Sequence, residues 1–206
     1  MIYDLRTYQL RPRGAPEFSK RLEAGLSFRE KFSPLGAYFS TEVGTLNEVV
    51  HIWPYESIAH AEQVRAELSR SPNPDWPPKA DDLILSMKSE YLASTSLMQE
   101  WEGPRKLGEV YELRIYTYRA GSLPTVVTEW EKLLPKREAY SPIAGAWINA
   151  QGSNKFYHLW PYSSLDQRAK IRSESVAAGD WPPNTSEIML HQENKILIPS
   201  NFSPLH

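Results

Sequence analysis

The chain has 206 residues, a formal net charge of −2 and no cysteine. Lacking a basic excess or a Lys/Arg stripe, it does not carry the electrostatic footprint of a nucleic-acid binder, and lacking thiols it can form neither disulfides nor Cys-ligated zinc or iron–sulfur sites. Hydrophobic residues make up 41% and aromatics 12%, enough for a buried core; no apolar run approaches the roughly 20 residues that span a bilayer and the start shows no secretory pattern, so a cytoplasmic protein with no membrane partner is expected.

In chain order, Ile2 to Leu10 alternates aromatic and β-branched residues with polar ones and predicts a strand. Phe18, Leu22 and Leu26 follow at helical spacing. Ala37 to Glu42 and Glu48 to Trp53 form a predicted hairpin around Gly44-Thr45-Leu46-Asn47. Ser57 can cap a second helix, which must stop before Trp76-Pro77-Pro78 because consecutive prolines cannot continue it. Leu83 to Leu92 supplies the last strand.

The same series then returns. Tyr3-Asp4-Leu5-Arg6-Thr7-Tyr8 reappears as Tyr111-Glu112-Leu113-Arg114-Ile115-Tyr116, His51-Ile52-Trp53-Pro54-Tyr55 as His158-Leu159-Trp160-Pro161-Tyr162, and Asp75-Trp76-Pro77-Pro78 as Asp180-Trp181-Pro182-Pro183. Three blocks in one order mark a tandem duplication. The second copy has a strand from Val110 to Tyr118 and a helix with Ser122 as its cap, carrying Val126, Val127, Trp130, Leu133 and Leu134. Its hairpin pairs Ala146 to Ala150 with Lys155 to Trp160, a Ser164/Gln167 capping box opens the next helix, and Ile188 to Ile198 is its last strand. The repeats are placed at 1–98 and 107–206, the second ending in a short tail, with a charged Gly-Pro linker at 99–106.

Each repeat reads β-α-β-β-α-β, the ferredoxin-like order, in the α+β class. Such a sheet carries helices on one face only, and the bare face must be covered. Apposing the two bare faces gives a pseudo-two-fold α/β barrel. Strand alternation gathers Asp4, Arg6, Tyr8, His51 and Trp53 on one face of the first repeat, and Glu112, Arg114, Tyr116, His158 and Trp160 on that of the second. With the apolar alternates placed under the helices, this polar set is expected to point into the barrel. His51, His158, Arg6 and Arg114 are the candidate catalytic groups, and Asp4, Tyr8, Trp53, Glu112, Tyr116 and Trp160 the candidate substrate-binding ones. The Arg–acid pairs read equally as structural salt bridges, the histidines as hydrogen-bonded scaffolding, and Trp76 and Trp181 as loop packing or as rim residues. Nothing has metal-ligand spacing, and there is no phosphate loop or nucleophile elbow.

The Tyr-(Asp/Glu)-Leu-Arg-x-Tyr strand and the His-(Ile/Leu)-Trp-Pro-Tyr strand end resemble the NIPSNAP family over both halves. The resemblance implies membership of the dimeric α/β-barrel superfamily, whose barrels serve cofactor-independent monooxygenases, isomerases and haem-handling enzymes. Two functions follow as expectations. One is a small-molecule binder or cofactor-free isomerase or monooxygenase acting on an aromatic or carbonyl compound in the barrel cavity. There a histidine would serve as general base, an arginine would stabilise an oxyanion, and a tyrosine would orient the substrate. The other is a non-catalytic haem or metabolite binder, or a NIPSNAP-type protein-interaction module. No cofactor is required; haem is the one with candidate ligands, His51, His158 and, outside, His191. The fused pair can also form a homodimer. The two halves diverge in their fourth strands, where Ser86 and Lys88 align with His191 and Glu193.

Overall fold

The computed structural model describes all 206 residues. In the first repeat β1 (Ile2–Leu10) is followed by α1 (Ala15–Arg29), β2 (Ala37–Val43), β3 (Glu48–Tyr55), α2 (Ile58–Arg70) and β4 (Ile84–Ser94). The second repeats the order with β5 (Val110–Tyr118), α3 (Leu123–Glu138), β6 (Gly145–Asn149), β7 (Lys155–Tyr162), α4 (Leu165–Ala177) and β8 (Met189–Pro199). The hairpin strands run on through Trp-Pro-Tyr to Tyr55 and Tyr162, so each proline lies within a strand rather than after it. Ser57 and Ser164 cap α2 and α4, accepting from the backbone N–H groups of His60 and Gln167 at 3.1 Å each. Ser122 does not cap α3 with its side chain; its hydroxyl donates instead to the Arg119 carbonyl at 2.6 Å.

All eight strands are antiparallel and close a barrel in the order β1-β3-β2-β8-β5-β7-β6-β4. Within each repeat the strand order is ferredoxin-like, and the repeats meet at two seams, β2 with β8 and β4 with β6. Each seam carries an ion pair between repeats. Glu48 of the first repeat pairs with Lys195 of the second, and Lys155 of the second with Glu90 of the first at 3.8 Å.

The face assignment is the reverse of the sequence-based expectation. Tyr3, Leu5, Val50 and Ile52 join Tyr111, Leu113, Ile115, Tyr157 and Leu159 in one cluster drawing on both repeats, which is the barrel interior. Tyr8, Val49 and Trp53 pack with Phe18, Leu22 and Leu26 of α1 and Ala61 and Val64 of α2, under the helices of their own repeat. An eight-stranded barrel is only wide enough for side chains to fill, and burying unpaired polar groups there is costly. The largely apolar alternates therefore take the interior, and Glu48, Glu90, Lys155 and Lys195 share their face toward one end, where they pair. The polar set lies on the outer face, where the helices do not seal the edges and charged tips reach solvent. The expected barrel cavity is a packed core.

The connection between repeats is also part of that core. Trp101 is 7% exposed within the interior cluster, together with Leu205 from the tail. Its indole donates to the Ala144 carbonyl at 2.7 Å, and it meets the rings of Tyr3 and Trp147 edge-on at 5.3 and 5.5 Å. Arg105 and the tail exchange backbone hydrogen bonds alongside, its N–H donating to Pro204 at 2.8 Å and its carbonyl accepting from His206 at 3.0 Å. The linker and tail thus cap one end of the barrel.

Candidate functional site

Each repeat holds a cleft between the outer face of its sheet and its helices, of about 530 Å³ in the first and about 540 Å³ in the second. Both volumes suit a small organic ligand. Arg6, Tyr8, His51 and Trp53 line the first, and Arg114, Tyr116, His158 and Trp160 the second. The structure thus brings the expected residues together within each repeat, but not across repeats.

The histidines occupy a constrained environment. Strand pairing sets His51 beside Arg6 and His158 beside Arg114. The indole N–H of Trp53 donates to His51 Nδ1 at 2.7 Å, and that of Trp160 to His158 Nδ1 at 2.7 Å. An indole nitrogen can only donate, so Nδ1 must be the acceptor. In the neutral ring the hydrogen then sits on Nε2. Burial, reinforced by Arg6 and Arg29, holds the His51 pKa well below the ordinary value; burial and Arg114, Arg172 and Arg137 do the same to His158. Both rings are therefore neutral and offer an Nε2–H, which is buried without a protein partner. Tyr8 and Tyr116 stand edge-on to the imidazoles at 4.8 Å. Burial raises both phenols, Tyr116 to about 12, and both stay protonated near neutral pH.

The two acids are counter-ions behind the clefts rather than part of their walls. Asp4 accepts from Arg65 Nη2 at 2.7 Å and the Ser89 hydroxyl at 2.5 Å, with Arg6 at 4.0 Å. Glu112 accepts from Arg168 at 2.6 Å, Asn194 at 3.2 Å and Arg114 at 3.5 Å. The arginines hold the Glu112 carboxyl below its usual range although burial opposes them.

Sequence reasoning missed the helix-borne half of the site. Arg29, in the last turn of α1, is 4% exposed; it donates to the Ser33 carbonyl at 3.0 Å and the Tyr55 hydroxyl at 2.7 Å, and lies over the Trp53 ring at 4.2 Å. Arg137 of α3 repeats this with Ser141, Tyr162 and Trp160. Neither has a carboxylate partner. Arg65 of α2 and Arg172 of α4 complete the two sets, and Trp76 and Trp181 line the cleft mouths against Trp53 and Trp160. The signal lay in the repeat itself, since each arginine recurs at the matching position of the second copy.

A closed barrel of two fused ferredoxin-like repeats, each with an Arg/His/Trp cleft on its helical face, defines a tandem α/β-barrel protein. The NIPSNAP family model matches residues 3–99 and 111–204, and the chain belongs to that family. It is 29% identical to human NipSnap homolog 3B, the match covering 99% of this chain and 85% of that protein. A candidate monooxygenase from Lactobacillus acidophilus shares the fold with a TM-score of 0.67 at 10% identity, covering 96% of this chain and 93% of that one. An anthrone oxidase-like protein does so with a TM-score of 0.58 at 6% identity, over 98% and 93% of the two chains. No helix is long and apolar enough to cross a membrane.

Proposed function

We propose that the chain binds a small, flat, carbonyl-bearing compound in the clefts between sheet and helices, and polarises its oxygen with a neutral histidine. The observation that carries this reading is the Trp-locked imidazole: an Nε2–H without a protein partner, on a cleft wall also lined by three guanidiniums. A donor held in place by its neighbour needs no reorganisation when charge develops on a bound oxygen. The arginines supply the compensating field, and the tryptophans give flat walls for a ring. These donors suit any reaction passing through an enolate or phenolate, which covers both isomerisation and cofactor-free oxygenation, and they suit plain binding equally. The reading replaces the histidine base with a histidine donor, because taking a proton at Nε2 first requires moving the ring hydrogen to Nδ1, against the indole N–H.

The same lock argues against haem. A histidine that ligates through Nε2 normally donates its Nδ1–H to an acceptor, whereas here Nδ1 receives a hydrogen bond and the Nε2 lone pair is not free. Hemin is expected to leave the melting temperature unchanged.

The test is a titration of intrinsic tryptophan fluorescence with 2-acetylnaphthalene, alongside nitrogen NMR of histidine-labelled protein. The spectra should show Nδ1 bare and Nε2 protonated for both rings at pH 7. His51→Phe with His158→Phe should weaken binding roughly 3- to 10-fold, the value of one lost neutral hydrogen bond. The opposite tautomer, or an affinity indifferent to both substitutions in a folded protein, would sink the proposal.

A further inference from the structure

The two clefts share a plan but not a charge balance. In the first, Arg6, Arg29 and Arg65 line the wall together with the carboxylate of Asp81, and Asp4 sits behind them in contact with Arg65 and Arg6. Three cations face two carboxylates. In the second, Arg114, Arg137 and Arg172 line the wall and no carboxylate does. Aligning the Trp-Pro-Pro segments sets Ser186 where the first repeat has Asp81, and aligning the His-x-Trp-Pro-Tyr segments sets Arg168 where it has Ala61. Glu112 alone answers this group, at 2.6 Å from Arg168, 3.5 Å from Arg114 and 3.9 Å from Arg172. Four guanidiniums therefore meet one carboxylate. Arg137 spends its donors on Ser141 and Tyr162, and the Nε groups of both Arg114 and Arg168 are buried with no partner, against that of Arg6 alone in the first repeat.

The walls differ in the same direction. Trp130 takes the helical position of Leu22, meeting Trp181 at 4.7 Å while Trp181 meets Trp160 at 5.8 Å. The first cleft has Leu22, Leu68, Ile84 and Met87 on its walls. A cation excess in a partly dehydrated cleft is unfavourable until an anion completes it. Guanidinium forks match a carboxylate in shape as well as charge.

We propose that the second-repeat cleft is selective for a planar aromatic carboxylate, held by Arg114 and Arg172 with its ring against the Trp130–Trp181 corner, while the first-repeat cleft takes a neutral compound. This rests on the clefts being ligand sites, and it specialises them: the duplication has produced two different pockets in one chain.

The test compares 2-naphthoate with its neutral counterpart 2-acetylnaphthalene by calorimetry on the whole protein. Naphthoate should bind at one site per chain, at least tenfold more tightly than the ketone binds there, and should weaken as salt rises. Arg172→Gln alters a side chain that is 42% exposed, and Ser186→Asp grafts the first repeat's residue onto an exposed position. Each should weaken naphthoate by 5- to 10-fold, and Ser186→Asp should leave the ketone within twofold. Arg65→Gln should leave naphthoate within twofold. Equal affinity for the two probes would overturn the specialisation while leaving the clefts as binding sites, as would naphthoate binding that responds to Arg65→Gln instead of Arg172→Gln and Ser186→Asp. Failure of both probes to bind the wild-type protein would overturn the site reading together with it.

Discussion

Lowering the pH from 7 to 5 is expected to destabilise the fold by about 2–4 kcal/mol through His51 and His158 alone, at up to about 1.4 kcal/mol per pH unit for each ring. Both are held neutral by burial first and by neighbouring arginines second. In the unfolded chain they regain an ordinary pKa near 6.5. Below that value the unfolded state binds protons that the native state refuses. Their contribution is thus fully present above about pH 6.5 and is lost as pH falls toward the depressed native value. Urea unfolding at pH 7, 6 and 5 measures the slope. His51→Phe with His158→Phe keeps aromatic rings in both clefts but removes the titration, so the double variant should show a clearly flatter profile over this window. An unchanged slope would mean that the rings already protonate in the native state, and would remove the basis for a neutral donor.

The sequence made the duplication legible because its markers are chemical constraints repeated in order. The alternation of Tyr3, Leu5 and Thr7 against Asp4, Arg6 and Tyr8 correctly separated two faces, since side-chain direction in a strand has a period of two. It could not say which face the helices cover. Both faces contain large rings: Tyr3 and Tyr111 are buried in the barrel, while Tyr8 and Tyr116 are buried under helices. Packing decides: Tyr3, Leu5, Tyr111 and Leu113 fill the barrel interior together, whereas the helix-covered face has open edges where Arg6 and Arg114 reach solvent. The Trp–His pairs were hidden for a different reason. Trp53 and Trp160 lie two residues from His51 and His158, on the same face of their strands, which gives proximity but not the direction of a ring nitrogen. Trp101 was read as linker because charged residues, Gly103 and Pro104 surround it, although a lone tryptophan in such a run is the residue with most to gain from burial.

Lys195→Glu is expected to cost about 3–5 kcal/mol, because it leaves Glu48 buried opposite a like charge. Glu48 is 6% exposed and also accepts from the Thr41 hydroxyl at 3.1 Å, so it has no easy route back to water. In a chain of this size the loss corresponds to a fall of roughly 6–20 °C in melting temperature. Glu48→Lys combined with Lys195→Glu restores opposite charges and should recover more than half of it. The pair has a counterpart of reversed sign: Lys155 stands at the position equivalent to Glu48, and Glu90 at that equivalent to Lys195. Each seam between repeats therefore joins Glu to Lys. Two copies of the first repeat would set Glu48 against Glu90, and two copies of the second would set Lys155 against Lys195, both repulsive. Once duplicated, the repeats have thus diverged so that each fits the other better than itself. Calorimetric melting of the single and double variants decides the matter: a Lys195→Glu protein melting within 2 °C of wild type, or a double variant no better than the single, would show that backbone pairing alone sets the seam.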